Sequence, residues 1–154
     1  RCHSMHAFGA VFAEVRVDPD LGEVRVSRML GAYGGGRVLN AKTARSQMIG
    51  GMVYGIGMAL FEHTAVDARS GRYLNSDLSE YLVPSHADVP DIDVVFIEEH
   101  HLYVNPIGVK GLGEIGMTGV AAAVANAVYH ATGVRVRDLP ITLDKLIGKG
   151  IGAA

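Results

Sequence analysis

The sequence predicts an α+β fold in which helices pack on one face of a mixed sheet. Two segments that alternate apolar and polar residues flank a turn. Two others repeat apolar residues at helical spacing, and one short run is rich in β-branched residues. We therefore expect strands and helices to follow one another in a single domain, residues 1–154. In chain order the segments are 8–17, 23–30, 44–63, 92–97 and 120–132.

The first two segments predict a β-hairpin. The turn at 18–22 contains Pro19, which presets φ, and Gly22, which tolerates a positive φ. In the second strand Val24 and Val26 are expected to face inward. The first strand has two faces, one with Val11, Ala13, Val15 and Val17 and the other with Phe8, Phe12, Glu14 and Arg16.

The segment 44–63 predicts a helix that contains four glycines. Each glycine costs roughly 1 kcal/mol relative to alanine in a helix interior, so about 4 kcal/mol of helix stability must be offset by packing. We expect another backbone or a ligand to press against that face. The glycines are Gly50, Gly51, Gly55 and Gly57.

The remaining elements follow from local patterns. Residues 92–97 predict a buried strand, and a short strand could form around 80–83. The cluster 98–101, Glu-Glu-His-His, is expected to be a solvated strand end rather than a metal site, because adjacent residues on an extended chain point to opposite sides. Residues 120–132 predict a helix that stops at Gly133.

Composition and charge narrow the function classes. A net charge of −2 without a basic stripe argues against nucleic acid as a partner. The uncharged run 46–61 is shorter than the ~20 apolar residues of a membrane span. The single cysteine, Cys2, excludes an internal disulfide framework. The chain opens without Met or a signal-peptide layout, so we expect a fragment of a longer protein.

A glycine triplet followed by polar residues predicts an anion-binding loop between the second strand and the first helix. Residues 34–36 are all glycine and can expose backbone N–H groups, and Arg37 and Lys42 supply positive charge. The spacing matches neither a Walker loop nor the dinucleotide fingerprint. The alternative is an ordinary flexible loop with solvated charges.

The stretch 108–119 holds one carboxylate, Glu114, in a run where five of twelve residues are glycine. Glycine lets the backbone come close to another group, because no Cβ is in the way. Glu114 is therefore either a placed chemical group beside a helix N-terminus or an ordinary first-turn helix residue.

Four motifs in this order resemble the molybdenum-binding subunit of the xanthine dehydrogenase / aldehyde oxidase family of molybdenum hydroxylases. The motifs are 36–47, the glycine-rich helix, 109–114 and 125–133. The likeness runs from about residue 6 to 147 and leaves 148–154 as a tail. The resemblance implies an α+β fold within a molybdopterin-binding domain, at the C-terminal part of a much longer subunit.

The resemblance implies that Glu114 is the catalytic base next to the molybdenum. Ala41 stands where many members have proline, which loosens the expected loop geometry without touching the chemistry. The backbone that approaches the metal end of the pterin would be that of Lys110, Gly111, Leu112 and Gly113. The residues that hold the pterin and the phosphates of its dinucleotide would be Arg37, Val38, Leu39, Asn40, Ala41, Lys42, Thr43 and Gln47.

The implied cofactor is molybdenum–molybdopterin. Its cytosine dinucleotide form is expected because Ile115-Gly116 is typical of bacterial members. Iron–sulfur clusters and FAD on partner subunits or domains would carry electrons away, and the remainder of its own subunit would complete the site. The implied substrate is a small molecule, an aldehyde or a xanthine-like N-heterocycle. We expect a cytoplasmic location, with the periplasm as the alternative.

Two other hypotheses stand beside this one. The isolated chain could be a structural fragment without activity of its own, because the substrate funnel and the other half of the cofactor site would lie in sequence outside it. A metal-dependent hydrolase is disfavoured by the ligand spacing. Its ligands would come from Cys2, His3, His6, His100 and His101.

Overall fold

The computed structural model describes residues 5–101 and 103–149. Its three strands form one sheet in the order β1-β2-β3. β1 (Phe8–Val17) runs antiparallel to β2 (Val24–Gly34), and β2 runs parallel to β3 (Asp91–Phe96). The predicted mixed sheet is confirmed.

Helices cover one face of this sheet. α3 (Val120–Thr132) packs against β1, and α1 (Ala41–Leu60) packs against β2, β3 and α3. The short α2 (Ile115–Thr118) lies between α1 and α3. In the described part of the chain, no helix is both long enough and apolar enough to cross a membrane. The centre of the core comprises Met29, Tyr33, Met48, Met52, Ile56, Val120, Val124, Val128 and Leu146.

The hairpin forms as predicted but contains a β-bulge that the alternation does not reveal. The turn is held by the Asp18 carboxylate, which accepts the N–H groups of residues 20 and 21 at 2.9 Å. The register passes from Glu14↔Arg28 to Val15↔Val26, which leaves Ser27 without a partner residue. The inward positions therefore shift, and Leu30 lies on the outer face of the sheet, 36% exposed.

α1 begins at Ala41, three residues before the predicted start at Ala44. The cause is Asn40, whose Oδ1 accepts the backbone N–H of Thr43 at 3.1 Å and caps the helix. Ala41, Lys42 and Thr43 therefore form the first turn of α1 rather than part of a loop.

The glycines of α1 allow close packing, as predicted. A Cβ on Gly51 would lie 3.0 Å from the backbone of Gly116 in α2. A Cβ on Gly55 would overlap the side chain of Val120 in α3. Gly50 is the exception, since a Cβ there would meet no described heavy atom within 4 Å.

Two strand expectations need correction. Residues 80–83 form no strand, because the preceding turn is stabilised by the Asp77 carboxylate, which accepts the Ser79 N–H at 2.9 Å. β3 is buried on one face only, since Ile92 and Val94 face the core whereas Val95 is 48% exposed. The predicted helix at 120–132 and its glycine stop are both confirmed.

Alanine substitution at two α1 glycines should have opposite effects on stability. Gly55→Ala forces a methyl group into Val120 and should lower the free energy of unfolding by about 1–3 kcal/mol. Gly50→Ala fills open space in the same helix and should raise it by about 0.5–1 kcal/mol. Equilibrium urea unfolding measures both, and equal effects would contradict the packing described here.

Candidate functional site

The two glycine-rich motifs lie side by side in the structure. The N–H of Arg37 donates to the Gly108 carbonyl at 2.8 Å, and the N–H of Lys110 donates to the Gly35 carbonyl at 3.2 Å. Gly36 and Val109 form an antiparallel bridge between them. The loop that follows β2 is therefore paired with the segment that leads to Glu114.

The carboxylate of Glu99 joins the same two segments. Its Oε2 accepts the Gly36 N–H at 2.8 Å, and Lys110 Nζ lies 3.2 Å from Oε1 and 3.1 Å from Oε2. The Lys110 and Glu99 side chains are only 4% and 14% exposed. We call Gly36, Glu99 and Lys110 the Glu99 junction. The hydrogen bond from Gly36 and the adjacent Lys110 ammonium lower the pKa of Glu99, against the opposing effect of burial.

Sequence reasoning missed this role of Glu99. The prediction of a solvated strand end holds for Glu98 and His100, which are 88% and 86% exposed and face each other at 3.4 Å. It is wrong for Glu99, which points to the opposite side, as alternation along an extended chain allows. The available signal was a pair of adjacent carboxylates, Glu98 and Glu99, upstream of Lys110, whose side chain had no predicted partner.

Asn105 shapes the backbone just before Lys110. Its Nδ2 donates to the Val109 carbonyl at 2.7 Å, and its Oδ1 accepts the N–H groups of Ile107 and Val109, each at 3.2 Å. Gly108, inside this turn, has φ 72°. The turn therefore directs residues 109–110 along the loop that follows β2.

α1 holds the other end of the segment. Gln47 Nε2 donates to the Gly113 carbonyl at 2.7 Å, one residue before Glu114. Beyond Glu114, the backbone of Gly116 packs against Met48, and its carbonyl accepts the buried Tyr33 hydroxyl at 3.3 Å. The backbone is therefore fixed on both sides of Glu114.

Glu114 itself is exposed and immediately precedes α2. Its side chain makes no cap hydrogen bond to that helix. The carboxylate also forms no ion pair or hydrogen bond with any other residue that the structure describes, although the Glu114 carbonyl accepts the Met117 N–H at 3.1 Å. Capping therefore does not explain this carboxylate.

The backbone beside Glu114 faces open space. A Cβ built on Gly111 or Gly113 would meet no described heavy atom within 4 Å, and both residues are exposed. Leu112, between them, packs instead on Gly35. A large group can therefore approach the backbone of Gly111 and Gly113 closely, whereas Lys110 is paired with Gly35.

The predicted phosphate-binding residues lie on the exposed surface around the N-terminus of α1. Arg37, Leu39 and residues 40–43 are exposed, and Val38 is partly buried. The first turn of α1 contains no acidic residue. The Asn40 and Thr43 side chains are engaged in the cap, with Thr43 Oγ1 donating to the Asn40 carbonyl at 3.3 Å. The Lys42 side chain and the backbone N–H groups of Ala41 and Lys42 remain as groups that can bind an anion.

A cavity of about 210 Å³ opens beside the Glu99 junction. Arg37 supplies a cation to its lining. His101 also lines it, and the His101 Nδ1 atom is buried without a hydrogen-bond partner among the described residues. The cavity thus contains polar groups that a ligand could engage.

Two other features do not form a competing site. A cavity of about 960 Å³ is lined by residues of β1, β2, β3 and α3, and none of the predicted cofactor residues lines it. Within 5–101 and 103–149, no group of three His, Cys, Asp or Glu side chains could hold a metal ion. Cys2 and His3 lie outside the described residues.

Comparison with known proteins gives consistent matches. The family described as "Molybdopterin cofactor-binding domain" matches residues 1–90. The chain is 52% identical over 147 residues to the aldehyde oxidoreductase molybdenum-binding subunit PaoC of Escherichia coli, covering 96% of this chain and 20% of that protein. It is 41% identical over 140 residues to an Escherichia coli xanthine dehydrogenase molybdenum-binding subunit, covering 91% of this chain and 18% of that protein.

The fold is also similar to that of a solved enzyme. The aldehyde oxidoreductase from Desulfovibrio desulfuricans ATCC 27774 superimposes with a TM-score of 0.83 and 30% sequence identity. The match covers 94% of this chain and 15% of that chain. The chain thus spans about a fifth of the length of the curated relatives it matches.

Glu99→Gln should destabilise the protein in a pH-dependent manner. Since the folded pKa of Glu99 lies below its unfolded value of about 4.3, its ionised form stabilises the fold above that pH. This stability is lost as the pH falls through the folded pKa. At pH 7 the variant should be less stable by roughly 3 kcal/mol, because Lys110 loses its buried partner, and the gap should narrow below about pH 4.

Equilibrium urea unfolding at pH 7 and below about pH 4 measures the difference in the free energy of unfolding between the variant and the parent. Glu98→Gln is the matched control, because Glu98 is the neighbouring carboxylate and is 88% exposed. A gap that stays constant with pH, or one of equal size in the control, would contradict the assignment.

Proposed function

The chain belongs to the molybdenum-binding subunits of the xanthine dehydrogenase / aldehyde oxidase family, through their molybdopterin cofactor-binding domain, and we propose that it supplies the catalytic base of a molybdenum hydroxylase. In this proposal the chain is the C-terminal region of a longer subunit. Glu114 is the base, and the exposed backbone of residues 111–113 faces the cofactor. The substrate is an aldehyde or an N-heterocycle, the two classes suggested by the names of the relatives.

One observation carries this proposal. Gln47 holds the Gly113 carbonyl at 2.7 Å, so the loop predicted to bind cofactor and the segment that carries Glu114 meet on one surface. On that surface Glu114 is exposed, has no partner among the described residues, and lies beside glycines that face open space. A carboxylate fixed in this way and left accessible is suited to accept a proton from a bound reactant.

The residues present fit the cofactor that the family implies. When bound, the molybdenum cofactor supplies the two-electron oxidation and the oxygen transfer. Glu114 accepts a proton at its carboxylate, a contribution worth about 10²–10⁴ in rate. Gln47 uses one N–H on Gly113 and retains its second N–H and its Oε1 for the pterin.

The phosphates of a dinucleotide form would lie at the N-terminus of α1. The N–H groups of Ala41 and Lys42 have no acceptor within the helix, whereas the N–H of Thr43 is bound by Asn40. Arg37 and Lys42 add two exposed cations. No acidic residue opposes them in that turn. This arrangement supports a pyrophosphate-containing cofactor, for which we propose molybdopterin cytosine dinucleotide.

The outer face of the sheet supports further partners. Phe12 and Leu30 are paired across the hairpin and are 59% and 36% exposed, and Val95 continues this apolar surface on β3 at 48% exposed. We propose that the remainder of the same subunit covers this face. Iron–sulfur and FAD subunits or domains would accept the electrons. The described residues do not enclose a cofactor site, so we expect the isolated piece to be structural.

Glu114→Gln tests the catalytic assignment in the complete enzyme. The substitution keeps the shape of the side chain and removes its ability to accept the proton, so turnover should fall by about 10²–10⁴ while molybdenum content stays at the parent level. Elemental analysis and steady-state rates with an aldehyde and an N-heterocycle measure this. Glu98→Gln serves as the control, and near-normal turnover of the Glu114 variant would exclude Glu114 as the base.

Gln47→Ala tests the cofactor-facing role of α1. Loss of the amide removes both the bond to Gly113 and the groups left for the pterin, so cofactor content should fall more than the turnover per bound molybdenum. The measurement compares molybdenum per enzyme with rate per molybdenum. Equal cofactor loading in variant and parent would count against this role.

A further inference from the structure

We propose that Glu99 is a positioning residue for Glu114, an inference that rests on the proposed function of Glu114 as the base. The Glu99 carboxylate ties the segment that carries Glu114 to the loop after β2 by holding Gly36 and Lys110 together. It thereby determines where that segment begins. Glu99 does not itself reach the cofactor-facing surface in this proposal.

Glu99 is suited to this role because the sheet fixes its position. It lies three residues after the end of β3 at Phe96. The parallel pairing continues past that end, since the N–H of Ile97 donates to the Tyr33 carbonyl at 2.8 Å. Glu99 therefore lies only two residues beyond a backbone hydrogen bond to the sheet.

The segment it holds requires fixed ends. Between Lys110 and Glu114 lie Gly111 and Gly113, whose backbones have more conformational freedom than any other residue type. Gln47 fixes the far end at Gly113. At the near end the buried Lys110 ammonium is held by Glu99 and lies 5.6 Å from the Phe8 ring centroid. If the near end is released, the glycines allow the base to shift.

A small shift is enough to reduce catalysis. A misplacement of about 1 Å can lower a rate by about 10²-fold when the reacting groups have to meet in one geometry. In the complete holoenzyme, Glu99→Gln should therefore lower kcat by about 10–100-fold while KM and molybdenum content change little. Glu99→Asp, which keeps the charge, should restore part of the rate, and Glu98→Gln should behave like the parent.

Two readouts separate positioning from a general structural role. The first is a double-mutant cycle with Glu114→Gln. If Glu99 acts through Glu114, adding Glu99→Gln to that variant should cause less than a twofold further loss of residual turnover.

The second readout is hydrogen exchange of the assembled enzyme with and without cofactor. Amides 108–114 should exchange at least tenfold faster in Glu99→Gln, and those of the β1–β2 hairpin should not change.

Each outcome decides the inference. A parent-level kcat, unchanged exchange in 108–114, or an equal loss in both backgrounds of the cycle would overturn it. If Glu99→Gln does not assemble, the variant Glu99→Gln/Lys110→Met, which leaves no unpaired buried charge, takes its place with the same readouts. If Glu114→Gln retains full turnover, the proposed function fails, whereas the exchange result still decides whether Glu99 holds the segment.

Discussion

The candidate site depends on one buried contact, the Glu99 junction. The carboxylate binds the Gly36 N–H and the Lys110 ammonium, and each of these groups belongs to a segment that otherwise has only a few backbone hydrogen bonds to the other. Gly36 is required at this point, because its φ is 68° and a Cβ would lie 2.5 Å from the Gly108 carbonyl. A buried ion pair adds little net stability compared with apolar side chains. Its value here is that it specifies one arrangement of two glycine-rich segments.

α1 relates this contact to the rest of the fold. Its first turn forms the surface proposed for phosphates, and Gln47 holds Gly113, the residue before Glu114. Gly51 brings the helix against α2, and Arg45 bonds to the Val94 carbonyl at 3.0 Å and to Asp93 at 2.8 Å on β3. One helix therefore holds both the proposed cofactor loop and the segment that carries Glu114 relative to the sheet. Close packing through glycine is what allows a helix to meet a backbone, rather than side chains, at that point.

Local patterns predicted the elements that are stabilised locally. The hairpin and the helix at 120–132 follow from alternation, helical spacing and a glycine stop, and both are confirmed. The bulge at Ser27 depends on a hydroxyl that donates to the Glu14 carboxylate at 2.7 Å across the hairpin, and alternation within one strand carries no information about it. The early start of α1 was missed because Asn40 was interpreted as a loop residue rather than a cap.

The candidate site was predicted only through the order of its motifs. Neither glycine spacing nor charge indicates that residues 34–37 pair with 108–110, because that pairing depends on how the chain returns after β3. The resemblance to a family implied only that both motifs face one cofactor, and their pairing is seen in the structure alone. The role of Glu99 escaped both approaches, since it became apparent only from the exposed fraction of the side chain and its distances to Gly36 and Lys110.

The described residues fix the backbone position of Glu114, but they do not shield its side chain from water. The chain fixes the backbone on both sides of Glu114 through Gln47 and the Glu99 junction, yet leaves the carboxylate exposed. A general base works best where water is limited and its proton affinity is matched to the reaction. The described residues do not enclose Glu114, so under the proposed function its shielding would come from bound cofactor and from other parts of the enzyme. In that proposal this chain contributes the position of the base, which makes the residues that hold Glu114 as important as Glu114 itself.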